Sequence, residues 1–243
     1  MNSLLEIIES IDSPNSKINP TDIYNEGWMT RLFVYYSIKD KLKVENIDYS
    51  TVSNWCSEAV ISSPFQPRKR MDNMGEGFTH ADMAIGDFKV DFSDNGEIKL
   101  MENAKLFGII EAKMGSNLSQ GTKNAPNYNQ ASRNLACISA KTAKTEECNT
   151  FFGVVAPEIK IKHHKLEEQL NKNFLLKQIR DRFEMYPKEY RQEKKMEAVL
   201  EKAMKTNVWC LSYEQWLEKF TNSDTIEELS TFYDKAKKWN KIK

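Results

Sequence analysis

The chain has 243 residues, enough for one large domain with a substantial hydrophobic core. Its 35 basic and 35 acidic residues give a formal net charge of zero, which excludes a general electrostatic attraction to nucleic acid and leaves only local patches. Four cysteines without a Cys-x-x-Cys pair argue against a zinc site or a disulfide framework, and no apolar run is long enough to span a bilayer. We therefore expect a soluble cytoplasmic protein with no membrane partner.

Helices are predicted at the start of the chain. The first covers residues 3–11, and after a segment rich in Pro, Asn and Ser a second begins near Thr21 or Asp22 and runs to about residue 38. Glu26 lies near the first turn of this second helix, where a carboxylate complements the helix dipole whether or not it has another role. Residues 50–59 are predicted to form a third helix.

The tightest basic cluster of the sequence follows, with Arg68, Lys69 and Arg70 in a polar, glycine-containing loop. Such a loop can neutralise the phosphates of a nucleic acid. A short run of charges is equally typical of a loop that is only solvated. The sequence leaves both interpretations open.

From residue 80 the pattern changes to short apolar runs, which predict an antiparallel meander. The runs are ADMAIG, FKVDF, EIKLME and LFGIIEAKM, at residues 81–86, 88–92, 97–102 and 106–114. Asp82 begins the first run, and the last ends with Glu111 and Lys113 on either side of Ala112. Side chains alternate across a strand, so this carboxylate and this ammonium group project from the same face. Because both groups are costly to desolvate, the pair indicates a site.

The Glu-x-Lys spacing also occurs at Glu97, Glu158 and Glu193. Glu97 begins a half-polar strand, which is typical of an outer position in a sheet. Glu158 follows Pro157, which ends the preceding strand, and Glu193 lies in a predicted helix, where residues two apart point away from each other. Only Glu111 ends a run that is apolar enough to be buried on both faces.

A loop rich in Gly, Ser and Asn covers residues 115–126 and is long enough to have a function of its own. A helix is predicted to begin at Pro126 or Asn127, with Gln130 and Arg133 as neighbours near its start. The polarity of these two side chains is also typical of an ordinary helix surface. TFFGVVAP predicts a further buried strand, and the remaining residues are predicted to be mainly helical, with a candidate strand in VWCLSY.

This order of elements resembles the PD-(D/E)XK nuclease superfamily, whose core has the order αβββαβ. The resemblance covers about residues 20–157 and is carried by Glu26, Asp82, the Glu111-Ala112-Lys113 tripeptide, Gln130 and the buried strand. It implies an α/β (α+β) fold with a restriction-endonuclease-like core, in which helices flank a mixed central sheet. Residues 1–243 would form one nuclease-like domain with a mainly helical extension over about residues 158–243.

The chain departs from the family pattern at two points. Asp82 follows Ala81 rather than proline, and one surplus strand is predicted between Asp82 and Glu111. Asp87 or Asp91 therefore stays open as an alternative to Asp82.

The resemblance implies a Mg²⁺-dependent endonuclease, with Mn²⁺ as a substitute, that hydrolyses DNA in a prokaryotic defence, phage-defence or mobile-element setting. Asp82, Glu111 and the backbone carbonyl of Ala112 would bind the metal ion. Lys113 would position the attacking water and offset negative charge. Gln130 would orient the water or the lysine, and Glu26 would reach the metal through water.

The same resemblance implies substrate contacts for Ser119, Lys123 and Arg133, to which the basic cluster at residues 68–70 would add. A homodimer and a protein partner within a defence system are further expectations. The alternative from another class is a nucleic-acid-binding or assembly module that retains the nuclease fold without cleaving. A third hypothesis is a purely structural α+β protein.

Overall fold

The computed structural model describes residues 2–70, 72, 74–93, 95–121, 125–190 and 192–242. Within these residues the helices are α1 (Asn2–Glu9), α2 (Pro20–Ile23), α3 (Glu26–Lys39), α4 (Gln130–Thr142), α5 (Glu158–His164), α6 (Leu166–Gln169), α7 (Lys172–Glu184), α8 (Glu193–Lys205), α9 (Tyr213–Leu217) and α10 (Ser223–Trp239). The strands are β1 (Lys43–Val44), β2 (Ile47–Asp48), β3 (Asn54–Ser62), β4 (Phe78–Gly86), β5 (Phe88–Asp91), β6 (Glu97–Leu100), β7 (Leu106–Ala112), β8 (Asn149–Ala156) and β9 (Asn207–Ser212). Across the described part of the chain, no helix combines the length and the apolar character needed to cross a membrane.

Seven strands form one mixed sheet in the order β5-β6-β3-β4-β7-β8-β9, and β1 pairs with β2 in a separate hairpin. The pairs β3–β4, β4–β7 and β5–β6 are antiparallel. The pairs β3–β6, β7–β8 and β8–β9 are parallel. The predicted mixed central sheet is confirmed, and helices cover both of its faces.

Two predictions about this sheet are wrong. Residues 50–59 were expected to be helical, but most of them belong to β3, where Ala59 and Ile61 are buried with the period of two that a strand imposes. The expected meander is interrupted because the β5–β6 hairpin folds to the far side of β3. β4 consequently pairs directly with β7, which brings the strand of Asp82 next to the strand of Glu111.

The sheet separates two hydrophobic layers. Ile109 of β7 packs in the layer of α4, α7 and α8, whereas its neighbour Ile110 packs in the layer of α3, α9 and α10. The residues after 157 supply β9 at one sheet edge and helices in both layers. Among them, Tyr213 and Trp216 pack against Phe33 of α3.

The two helices that carry predicted site residues begin later than the sequence indicated. α3 begins at Glu26, and the side chain of Asn25 caps it by accepting a hydrogen bond from the third helical residue. α4 begins at Gln130, with Asn129 as the corresponding cap. Asparagine is among the strongest N-cap residues, and each cap places a polar side chain at the first helical position.

Candidate active site

Asp82 and Glu111 lie opposite each other on neighbouring strands. The ladder between β4 and β7 pairs Met83 with Ile110, and one step further the same register sets Asp82 against Glu111. Facing residues of an antiparallel pair project to the same side of the sheet. At this point the backbone N–H of Ala112 donates to Oδ2 of Asp82 at 2.7 Å, so the aspartate also fixes the end of β7.

Glu111 is only 1% exposed, and both of its carboxylate oxygens accept hydrogen bonds. Oε1 accepts from Nζ of Lys113 at 2.7 Å and from Nε2 of Gln130, and Oε2 accepts from Nδ2 of Asn134 at 2.9 Å. Gln130 and Asn134 are four residues apart on α4, so their side chains share one face of the helix. The protein's own donors therefore hold this carboxylate in one orientation.

Glu26 reaches the site from the other layer. Its helix packs Met29 and Phe33 beneath the opposite face of the sheet, and Oε2 of Glu26 accepts the backbone N–H of Met114 at 2.5 Å. This bond ties the start of α3 to the residue directly after Lys113. Side chains from both faces of the sheet thus meet where β7 ends.

The site has more carboxylates than cations, and the pKa values reflect this. Burial and the nearby charge of Asp82 raise the pKa of Glu111 to about 8, although Lys113 opposes the change. Burial likewise raises the pKa of Glu26, and Asp82 and Glu58 add to the effect. Burial alone would lower the pKa of Lys113, but the neighbouring carboxylates outweigh it and raise that pKa, so Lys113 stays protonated.

The site opens into a cleft of about 570 Å³. Asp82 is half-buried at its wall. The cleft is also lined by Glu26, Glu58, Trp28, Arg31 and the segment 114–116. Trp28 is 38% exposed, and the guanidinium of Arg31 lies 4.9 Å from the centre of its ring. The cleft therefore offers a cation and an aromatic face beside the carboxylates.

Glu58 extends the row of acidic residues to a third strand. The β3–β4 register places it opposite Asp82, and Nη2 of Arg31 lies 3.6 Å from its carboxylate. Its φ of 52° is left-handed, which is rare inside a strand and costs about 1–3 kcal/mol for a residue other than glycine. Such strained residues cluster at functional sites.

The donors at this site are oxygen atoms, which are the ligands that Mg²⁺ prefers. Among the described residues, no group of three or more His, Cys, Asp or Glu side chains is arranged to hold a metal ion. Mg²⁺ is commonly bound by one or two carboxylates and completes its shell with water and phosphate. Asp82 and Glu111, with the carbonyl of Ala112, are of the chemical type that such an ion accepts. Burial, and after it the charge of Asp82, raises the pKa of Glu111.

Three further residues were expected to contact substrate. Ser119 and Arg133 do not line the cleft, and Lys123 is not among the described residues. The backbone carbonyl of Ser119 accepts from the N–H of Gln130 at 2.9 Å, so the 115–121 loop holds Gln130 in place. The guanidinium of Arg133 lies 6.0 Å from the ring of Tyr128, within the layer beneath α4. Its Nε and Nη2 are buried without a hydrogen-bond partner among the described residues. Lys123 lies outside the described residues.

The basic cluster lies in the segment that links β3 to β4. Nε of Arg68 pairs with Asp72 at 2.8 Å, and its guanidinium lies 4.5 Å from the ring centre of Tyr190. Lys69 and Arg70 are exposed. None of the three basic residues belongs to the described lining of the cleft.

Asp87 and Asp91, the alternatives to Asp82, have other partners. Asp87 accepts the backbone N–H of Lys105 at 2.7 Å, at the end of β7 that is remote from the site. Asp91 pairs with Lys99 in the edge hairpin. Of the three aspartates, Asp82 is the one that faces Glu111.

Sequence reasoning missed four residues of this arrangement. Asn134 could have been found, because it follows Gln130 at helical spacing. Glu58 was hidden by the erroneous helix over residues 50–59. Trp28 and Arg31 belong to no motif. They are recognised only because the structure places this part of α3 in the lining of the cleft.

Comparison of the chain with family models, with curated proteins and with solved structures gave no match. What the protein does must therefore follow from the chemistry of its own residues.

Proposed function

We propose that the protein is a Mg²⁺-dependent nuclease that hydrolyses phosphodiester bonds of DNA. One observation carries the proposal: Asp82, which lines an open cleft, faces Glu111 across two strands, and Nζ of Lys113 lies 2.7 Å from Glu111. Two carboxylates at such close range are unfavourable unless a proton or a cation offsets their charge. A divalent ion that also meets a substrate phosphate supplies that offset and gives the arrangement a use.

The order of the elements supports the same proposal. When the β1–β2 and β5–β6 hairpins are set aside, α3, β3, β4, β7, α4 and β8 have the order αβββαβ. Three of the strands are antiparallel and the fourth is parallel to the third. The β5–β6 hairpin is inserted between the second and third of these strands and lies at the sheet edge. It supplies two strands between Asp82 and Glu111 where the sequence predicted one surplus strand, and it does not separate these two residues. On this basis we infer a restriction-endonuclease-like core.

The residues divide the chemistry as follows. Asp82, Glu111 and the carbonyl of Ala112 would hold the ion, which when bound polarises the phosphate and lowers the pKa of a coordinated water. Hydrolysis forms a bond from the water oxygen to phosphorus and breaks the bond from phosphorus to one sugar oxygen. The proton that the water loses is balanced by the proton that the leaving oxygen gains. Lys113 remains protonated, so it stabilises charge on the phosphate and does not act as the base.

Other side chains act through these groups. Gln130 and Asn134 are positioning residues, because each donates to Glu111. Glu26 holds the end of β7 through Met114. A water-mediated contact of Glu26 with the ion stays a prediction.

Several finer expectations also stay predictions. They include endonuclease action in a prokaryotic defence or mobile-element setting, use of Mn²⁺, a homodimer, a protein partner and a cytoplasmic location. Substrate contacts of Ser119, Lys123, Arg133 and the 68–70 cluster have the same status. In the cleft itself, Arg31 and Trp28 are better situated to meet a nucleic-acid strand.

One observation favours the alternative, a nucleic-acid-binding or assembly module that does not cleave. Both oxygens of Glu111 already accept hydrogen bonds from side chains of the protein. A buried polar network that is satisfied in this way can stabilise a fold without binding a metal ion. The two proposals differ in whether phosphodiester bonds are broken.

The test is to incubate the purified protein with supercoiled plasmid, single-stranded DNA and RNA, in Mg²⁺, Mn²⁺ or a chelator. We expect metal-dependent cutting of DNA that falls at least about 100-fold in Lys113→Met and in Glu111→Gln. Lys105→Met and Glu147→Gln are matched controls, because they alter an exposed lysine–glutamate pair beside the other end of β7. Cutting that survives both site substitutions contradicts the assignment, and binding without cutting favours the alternative module.

A further inference from the structure

The end of α10 and the residues that follow it border the active-site cleft. Asn240 and Gly115 both belong to the lining of the cleft. Nδ2 of Asn240 donates to the backbone carbonyl of Tyr24 at 2.7 Å, which ties the end of α10 to the segment that leads into α3. A Cβ added to Gly115 would lie 3.7 Å from Cδ1 of Ile242, so this isoleucine lies against the glycine. Residues 240–242 therefore form part of the rim of the cleft.

A Schellman motif ends α10 and places Lys241 at this rim. The N–H of Ile242 donates to the carbonyl of Lys237 at 2.9 Å, and the N–H of Lys241 donates to the carbonyl of Lys238 at 3.2 Å. Lys241 has the left-handed φ of 54° that the motif requires. The motif turns the chain back toward Gly115 and leaves Lys241 exposed between two residues of the rim.

This segment carries cations without counter-ions. Residues 235–242, KAKKWNKI, contain four lysines and no acidic residue. Two of these lysines pair with neighbouring aspartates. The other two, Lys238 and Lys241, are exposed and form no ion pair among the residues that the structure describes. The hydrogen bond from Lys235 lowers the pKa of Asp12 most and the charge of Lys238 lowers it further, but Asp12 already has its partner in Lys235.

The lining of the cleft is short of cations for a polyanionic substrate. Asp22, Glu26, Glu58 and Asp82 contribute carboxylates, and among the described residues Arg31 is the only cation in the lining. Nη2 of Arg31 already lies 3.6 Å from Glu58. A strand that brings one phosphate to Asp82 therefore needs cations at the rim for the phosphates on either side.

Exposed aromatic rings accompany the cations at two places on the rim. Trp239 directly precedes Asn240 and is 39% exposed, and Nζ of Lys238 lies 5.5 Å from its ring centre. Trp28 of the lining is 38% exposed, with the guanidinium of Arg31 at 4.9 Å. Cations interleaved with exposed rings are typical of surfaces that bind single-stranded nucleic acid.

We propose that Lys238 and Lys241 bind phosphates of a single DNA strand where it leaves the cleft over the end of α10. The proposal rests on the nuclease function proposed above and deepens it, because it names the form of the substrate and the path of the strand. The two ammonium groups displace the counter-ions of the phosphates. The contact reads the backbone and carries no sequence information.

The salt dependence of binding counts such contacts. Fluorescence anisotropy measures binding of a labelled single-stranded oligonucleotide of about 20 nucleotides, with Ca²⁺ in place of Mg²⁺, over a series of NaCl concentrations. Gel electrophoresis verifies that the oligonucleotide stays intact. Each phosphate contact adds about 0.7 to the slope of log Kd against log salt for a single strand. We expect Lys238→Gln and Lys241→Gln each to lower the slope by about 0.7 and to weaken binding about fivefold at roughly 100 mM NaCl.

Lys41→Gln is the matched control for Lys241→Gln. Lys41 is exposed, has the same φ of 54° and occupies the same position of a Schellman motif at the end of α3, in which the N–H of Leu42 donates to the carbonyl of Ser37 at 2.9 Å. It lies about 20 Å from Glu26 by the rise of the helix. Both lysines complement a helix dipole, so their loss affects stability alike and only binding separates them.

Lys144→Gln is the control for Lys238→Gln. Lys144 is exposed just after α4, at the end of that helix remote from Gln130. We expect both control variants to keep the slope and the affinity of the wild type. Thermal unfolding of all four variants verifies that the fold is retained.

Each outcome decides the proposal. Slopes that Lys238→Gln and Lys241→Gln leave unchanged overturn it, as do equal reductions in the two control variants. Absence of binding by the wild type also overturns it, and so does a change of slope that appears only with a duplex of the same sequence. Cutting is measured separately in Mg²⁺: cutting with unchanged slopes rejects the contact but keeps the nuclease, whereas reduced slopes without cutting support the contact and reject the nuclease.

Discussion

Replacing Glu111 by glutamine removes a carboxyl group whose ionisation opposes folding. Burial and the charge of Asp82 raise the pKa of Glu111 from 4.5 to about 8, so the folded protein keeps a proton that the unfolded chain has already released. A group whose pKa is raised by folding contributes its full stability below the unfolded pKa and loses it as the pH rises through the folded value. Between about pH 5 and pH 8, this group alone lowers the free energy of unfolding by about 3 kcal/mol.

Urea unfolding of the wild type and of Glu111→Gln across this pH range, with a chelator present, measures the effect. The substitution also changes hydrogen bonds, but that change does not depend on pH. We therefore expect the free energy of unfolding to fall less steeply with pH in Glu111→Gln, by about 3 kcal/mol over the range. The slope is thus the quantity to compare.

Glu97→Gln is the matched control. Burial raises the pKa of Glu97, but hydrogen bonds from Lys141 and Ser62 outweigh this and lower it. The stability that Glu97 contributes is therefore complete above about pH 5, and its loss leaves the slope unchanged. Parallel curves for the wild type and Glu111→Gln would refute the close approach of Asp82 to a buried Glu111.

Three further outcomes follow from the same geometry. Mg²⁺ should raise the melting temperature more at pH 8 than at pH 5, because the ion takes the place of the proton bound at Glu111. Asp82→Asn should abolish this stabilisation by Mg²⁺. Equal stabilisation of the variant and the wild type would exclude Asp82 as a ligand. Glu58→Gly should relieve about 1–3 kcal/mol of left-handed strain, against roughly 0.5–1 kcal/mol that a glycine costs in a strand. We expect the free energy of unfolding in urea to rise by about 1 kcal/mol, and a loss would contradict that conformation. Asn134→Ala should leave an oxygen of Glu111 without its donor and cost about 1–3 kcal/mol in the same assay, whereas an unchanged midpoint would argue against the bond.

The local geometry of the tripeptide was predictable from the sequence. Glu111 and Lys113 lie two residues apart in an apolar run, and strand alternation alone places them on one face. Their hydrogen bond at 2.7 Å agrees with that interpretation. The position of Asp82 was harder to predict. It lies opposite Glu111 only because β4 pairs with β7, two strands that are distant in the sequence.

β4 can pair with β7 only because the β5–β6 hairpin, which lies between them in the chain, pairs with β3 on the other side of β4. No turn residue between Gly86 and Leu106 reveals where the hairpin goes. Gly86 does allow it, since its φ of 139° suits glycine, and an added Cβ would lie 2.1 Å from the carbonyl oxygen of Leu106. The sequence alone does not show that the backbone of Leu106 lies this close to Gly86.

Helix starts were mispredicted because several residues compete as caps. Thr21 and Asp22 are both good N-caps, but Asn19 caps a short helix that begins with Pro20. The chain then turns and starts again after Asn25. Such competition is decided by tertiary packing, which propensities do not include.

The contact between α3 and the last helices limits how far the chain can be shortened. Thr30 shares a hydrogen bond of 2.8 Å with Tyr213, and Nε1 of Trp216 donates to Ser37 at 3.0 Å. Phe33 packs against the same two rings. A fragment that stops at residue 157 would keep the complete tripeptide but lose the helices that hold α3, and with it Glu26, against Met114. The smallest unit that keeps this arrangement therefore includes the C-terminal helices.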